Sequence, residues 1–86
     1  MRLVLALVLL APLTAAPAAA DPGEAAYREA CASCHRTPAR FMRRFVDLPQ
    51  ADRQRALDEF LKTHHAEDDA RRAAIIAWLE ANHVRR

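Results

Sequence analysis

Cys31-Ala32-Ser33-Cys34-His35 is the stretch on which the rest of the chain turns. Side chains three and four positions apart share one side of a helical turn, so both thiols and the imidazole are presented together. Cys31 and Cys34 are the only cysteines in the sequence. A disulfide between them would close a tiny loop and constrain little of the unfolded chain. Zinc sites and redox dithiols also use C-x-x-C, whereas C-x-x-C followed at once by histidine is the attachment signature of a c-type haem. In that reading the sulfurs of Cys31 and Cys34 become thioethers on one edge of the porphyrin, and His35 is the proximal iron ligand.

Upstream, residues 1–20 (MRLVLALVLLAPLTAAPAAA) have the layout of a secretory signal. Arg2 supplies the charged start, Leu3 to Leu10 an unbroken apolar run, and Ala18-x-Ala20 a small-residue cleavage site. The apolar run is far short of the roughly 20 residues needed to span a bilayer. The expectation is therefore an exported, periplasmic chain with residues 1–20 removed and no membrane span left. What remains, 21–86, is 66 residues with twelve Lys and Arg against eleven Asp and Glu. So short a chain seldom builds enough core alone and generally carries a metal, cofactor or disulfide as a staple. The near balance of charge gives no nucleic-acid signature. Export, small size and a single cysteine pair together favour one covalently attached haem c over the zinc module, which would use Cys31, Cys34 and one or two histidines.

Downstream, one glycine (Gly23) and the absence of any alternating apolar–polar run point to helices. Asp21-Pro22-Gly23-Glu24 reads as a cap, a first-position proline and an acid three residues after the cap, starting a helix from Pro22 to about Cys34. Pro38 then enforces a turn. Ala39 to Asp47 is expected as a short helix with Phe41, Phe45 and Leu48 turned inward. Gln50 to Thr63 follows, with Leu57, Phe60 and Leu61 at core spacing, and His64-His65-Ala66 interrupts it. The last helix runs from about Glu67 to Asn82, with Ile75, Ile76, Trp78 and Leu79 apolar and Glu67, Asp68 and Asp69 near its positive end. His83, beyond it, is expected to be solvated.

Gly23-x-x-x-Tyr27-x-x-x-Cys31-x-x-Cys34-His35, with Ile75-Ile76-x-Trp78-Leu79 much later, resembles a small class I cytochrome c. The resemblance is tight over the cysteine–histidine motif and loose over the rest of residues 21–86. It implies an all-α bundle of three or four helices around one haem, the first helix crossing the last with an aromatic from each, here Tyr27 and Trp78, near the crossing. Two positions depart from the family. Arg36 stands where a glycine often follows the haem histidine, and the methionine that most members place before the last helix as sixth ligand is missing. Met42, seven residues after His35, lies far from that place.

His64 and His65 occupy it instead. At about 100° per residue, His64 falls in the middle of the stripe of Leu57, Phe60 and Leu61, and His65 at its edge. One of the two is the expected distal ligand, with His64 ahead and Met42 or an open site as alternatives. Two imidazoles give a lower potential than histidine with methionine. Arg36, Arg40, Arg43 and Arg44 admit three readings: partners for haem propionates, a docking face for an acidic redox partner, or a solvated helix face. Arg71-Arg72 is expected as a solvated pair. The function expected is outer-sphere electron transfer by a monohaem c-type cytochrome. No nucleophile–base constellation suggests an enzyme. The rival readings are a haem-based gas sensor with an open distal side and the zinc module.

Overall fold

Asp21 opens the first helix as the sequence implies: its Oδ1 accepts the Gly23 N–H at 2.8 Å, and Pro22 takes the first helical position, where a missing N–H is harmless. The computed structural model describes residues 21–84 together with Leu3, Val4 and Ala6, so the expected leader and its cleavage site otherwise lie outside the described residues. Four helices follow in order: α1 (Pro22–Ala30), α2 (Pro38–Met42), α3 (Gln50–Lys62) and α4 (Asp69–Asn82). The described chain is an all-α bundle, without strands. No described helix is long and apolar enough to cross a membrane.

Several boundaries differ from the sequence expectation, each for a local reason. Glu24 does not complete a reciprocal cap; it pairs with Arg28 one turn on, at 2.7 Å. α2 ends at Met42, and the chain continues in turns in which the Met42 carbonyl accepts the N–H groups of Phe45 and Val46 at 2.8 and 3.1 Å. Phe41 and Phe45 do face inward, but Leu48 is 37% exposed. Its backbone, not its side chain, faces the interior, for its carbonyl accepts Arg53 Nη1 at 2.8 Å. α4 starts two residues later than expected, because the Asp68 carboxylate accepts the Arg71 N–H at 2.8 Å and so caps the helix there.

α4 is the hub, packing against α1 on one side and α3 on another. Met42, Leu57, Leu61, Ile75 and Leu79 are fully buried between them. Burying a side chain of this size contributes roughly 1.5–3 kcal/mol. Tyr27 and Trp78 meet at the α1–α4 crossing with ring centres 5.3 Å apart. Gly23 permits that crossing: a Cβ there would collide with the Ala74 carbonyl oxygen and lie 2.6 Å from Trp78 Cβ.

Two arginines inside this small core were not legible as such. Arg53 binds both Glu80 oxygens at 2.6 Å, tying α3 to α4. Arg72, expected on the surface, is 5% exposed and bonds Asp58 and Asp69, each at 2.6 Å. Its neighbour Arg71 is not free either, reaching Glu29 on α1 at 2.8 Å. The contact with Glu80 holds the Arg53 guanidinium more firmly protonated than in water, against the pull of burial. His83 is half-buried and sets its ring edge-on to Trp78, 4.8 Å between centres, rather than standing in solvent.

Candidate cofactor-binding site

The cysteine–histidine motif sits on a separate turn after α1, not inside the helix. Cys31, at φ −122°, leaves helical geometry, and the Tyr27 carbonyl accepts the N–H groups of both Cys31 and Ala32 at 2.8 and 3.1 Å. The next turn closes on one atom: the Cys31 carbonyl accepts from Cys34 at 3.2 Å and from His35 at 2.8 Å. α1 thus ends at Ala30, four residues before the expected end, yet the bonds across the motif keep the i, i+3, i+4 relation on which the sequence argument relied.

Both cysteines are free thiols, Cys31 buried and Cys34 exposed. Burial pushes the Cys31 thiol up, with the Arg71 guanidinium pulling the other way. The backbone of His35 is pinned from α1, because Tyr27 Oη donates to the His35 carbonyl at 2.6 Å. Sequence reasoning gave Tyr27 only a packing role, and this bond adds a second. Burial raises the Tyr27 hydroxyl above its ordinary value, so it stays a donor.

Around the His35 ring the structure gathers aromatic side chains from three elements. Phe41 of α2 lies edge-on to it at 5.2 Å. Phe41, Phe45 and Phe60 form a cluster with centres 5.7 to 6.1 Å apart. Phe60, on α3, stacks on His64 at 4.6 Å. His64 then stands across from His35, with ring centres 6.1 Å apart.

Two adjoining cavities open here, both lined by Cys34, His35, Phe41 and His64. The larger, about 500 Å³, adds Arg36, Arg40 and Arg44; the smaller, about 200 Å³, adds Cys31, Leu61 and His65. Arg44 covers the Phe60 ring at 4.9 Å, a cation–π contact. No ion pair among the described residues involves Arg36, Arg40, Arg43 or Arg44, whereas Arg28, Arg53, Arg55, Arg71 and Arg72 all have acidic partners. Arg43 lines neither cavity but a neighbouring cleft with Arg40, Asp47 and His83.

Five of the residues singled out by sequence, Cys31, Cys34, His35, His64 and His65, therefore converge. The two distal candidates separate. His64 is half-buried, stacked and faces His35, while His65 is exposed with φ 64° and touches only the smaller cavity. Met42 is wholly buried in the core and lines neither cavity.

The donor set suits a porphyrin iron better than a lone cation. Among the described residues no three His, Cys, Asp or Glu side chains are grouped to hold a metal ion. A porphyrin supplies four nitrogens of its own and asks the chain only for axial ligands. Two imidazoles sharing one metal, with bonds of about 2 Å and each ring centre ~1 Å behind its nitrogen, would have ring centres no more than about 6 Å apart. His35 and His64 stand at that separation.

No family model matches the chain, and no curated protein or solved structure matches it either.

Proposed function

We propose that this chain is an exported monohaem c-type cytochrome that transfers electrons, with its haem tethered by Cys31 and Cys34 and held axially by His35 and His64. The observation that carries the reading is the His35–His64 separation of 6.1 Å between rings that line both cavities, the smaller of which Cys31 and Cys34 also line. The haem supplies a one-electron change at iron.

The remaining roles belong to the chain. Cys31 and Cys34 would hold the group as thioethers, each S–H adding across one vinyl double bond with its proton going to carbon, an attachment that loses no atoms and needs no oxidant. The Tyr27 bond to the His35 carbonyl fixes where the proximal ring starts. Phe60 stacks on the distal ring and holds its plane. Phe41 and Phe60 give the larger cavity an apolar wall, with Phe45 packed behind them. Arg36, Arg40 and Arg44 put positive charge at the rim of the larger cavity, where it offsets carboxylates of a bound haem or faces an acidic redox partner. Two neutral imidazoles as ligands would give the bound haem a low potential relative to a thioether paired with histidine. Placement in the periplasm follows from the signal-like residues 1–20, and electron donor and acceptor are the partners this reading requires.

Expression with an export signal and a haem-maturation apparatus, followed by mass spectrometry, tests the reading. The expected product is the chain without residues 1–20 carrying one haem, with a low-spin absorption and magnetic-resonance signature. His64→Ala should abolish that signature and His65→Ala should leave it. An unmodified chain holding zinc overturns the reading in favour of a Cys/His metal module. A five-coordinate haem that binds carbon monoxide freely when reduced overturns it in favour of a gas sensor.

A further inference from the structure

His64 reaches its place from a tight reversal of the chain. α3 ends in a motif in which the Leu61 carbonyl accepts the N–H groups of both His64 and Ala66, at 3.1 and 3.2 Å. The second bond spans five residues and needs a left-handed residue just before its donor. His65 fills that position at φ 64°, where glycine is usual. The reversal is therefore held in a conformation its own sequence does not favour.

Something outside the turn must hold it, and one side chain reaches it. Arg72, from the first turns of α4, sends Nη1 to the carbonyls of both Ala66 and Glu67 at 3.1 Å. Its Nε donates to Asp58 on α3, and its Nη2 to Asp69 on α4, each at 2.6 Å. Four acceptors on α3, the turn and α4 converge on one guanidinium, and Ala66 beneath it is 1% exposed. Lysine offers no such fork of fixed donors.

We propose that Arg72 is a positioning residue for the distal ligand: it straps the 64–68 turn between α3 and α4, so that His64 is held facing His35. The inference rests on the axial role given to His64 above and goes beyond it by naming what keeps that ligand in place. The molecule supplies its own control. Arg53 is as deeply buried, makes a two-pronged pair with Glu80 and also caps a carbonyl, that of Leu48. It lies away from both cavities beside His35. The two arginines thus match in chemistry and differ in what they hold.

The test uses the reduced holoprotein and carbon monoxide as a competitor for the distal position, with far-ultraviolet circular dichroism confirming that each variant is folded. Arg72→Lys should raise carbon monoxide binding at fixed concentration by about tenfold or more, the scale set by losing charged hydrogen bonds to two carbonyls. Arg53→Lys should leave it within about twofold, because its loss loosens the 48–53 corner instead. Equal changes in the two variants, or none in Arg72→Lys, overturn the proposal. Should Arg72→Lys not fold, Asp58→Ala decides. It removes one anchor on a carboxylate that is half exposed and should raise binding several-fold, no change being the overturning result. A secreted chain without haem sinks the cytochrome reading and this proposal with it. A low-spin haem protein whose Arg72 and Arg53 variants behave alike sinks only this one.

Discussion

Gly23→Ala sets two effects of opposite sign against each other inside α1. Replacing glycine by alanine in a helix gains up to about 1 kcal/mol from backbone propensity. Against that, the new methyl would meet the Ala74 carbonyl oxygen and carbon and Trp78 Cβ, the last two at 2.8 and 2.6 Å. None of these atoms belongs to a flexible side-chain tip, so the methyl cannot be accommodated by a rotamer change. The helices must part at their crossing, and overpacking of this kind costs about 1–3 kcal/mol. The separation also strains the Tyr27–Trp78 contact, which spans the same crossing. The net expectation is a loss of about 1–2 kcal/mol. For a domain of this size each kcal/mol moves Tm by about 4–8 °C, so the variant should melt about 5–15 °C lower. Thermal unfolding of holoprotein by far-ultraviolet circular dichroism measures it, with exposed Ala25→Gly in the same helix calibrating propensity alone. A Tm for Gly23→Ala that equals or exceeds that of the unaltered chain refutes the close-approach argument.

Three further substitutions probe the site. Tyr27→Phe removes the 2.6 Å bond to the His35 carbonyl and should cost about 1 kcal/mol in chemical denaturation. Burial raises the Tyr27 value in the folded chain above the unfolded one, so this group's stability is intact below pH about 10 and lost as pH climbs through the folded value. The phenylalanine variant should therefore show a flatter alkaline limb, and an unchanged limb counts against the buried hydroxyl. His65→Gly relieves a left-handed backbone and should stabilise by up to about 1 kcal/mol while keeping the low-spin spectrum; loss of the spectrum would transfer the ligand role to His65. Met42→Leu, a volume-conserving change in a fully buried position, should cost less than about 1.5 kcal/mol and leave the spectrum alone. A spectral change there would make Met42 the ligand.

The helices were readable because their punctuation is local. Asp21-Pro22, Pro38 and Pro49 mark starts that depend on neighbours in sequence, and α2 and α3 begin at or beside the expected residues. Ends were less legible, since Cys31 leaves the helix through a shared carbonyl that no residue type announces. The convergence of the five Cys and His positions followed from motif spacing and from the apolar stripe of α3. The turn geometry sets His64 and His65 apart: the first lines both cavities, while the second supplies the reversal and lines only the smaller. The buried arginines were missed because charge was read as exposure. Periodicity carried the signal: Arg53, Leu57 and Leu61 are four apart, and Arg72, Ile75 and Leu79 three and four apart, so each arginine continues an apolar stripe. The Tyr27 hydroxyl bond, between positions eight apart, has no such signature.

The main partner of α1 is α4, and thirty-eight residues separate the two. A polypeptide threaded out N-terminus first therefore presents α1 long before anything exists to cover it. The crossing that sets Tyr27 against Trp78 therefore closes only once the whole middle of the chain, residues 31–68, has emerged.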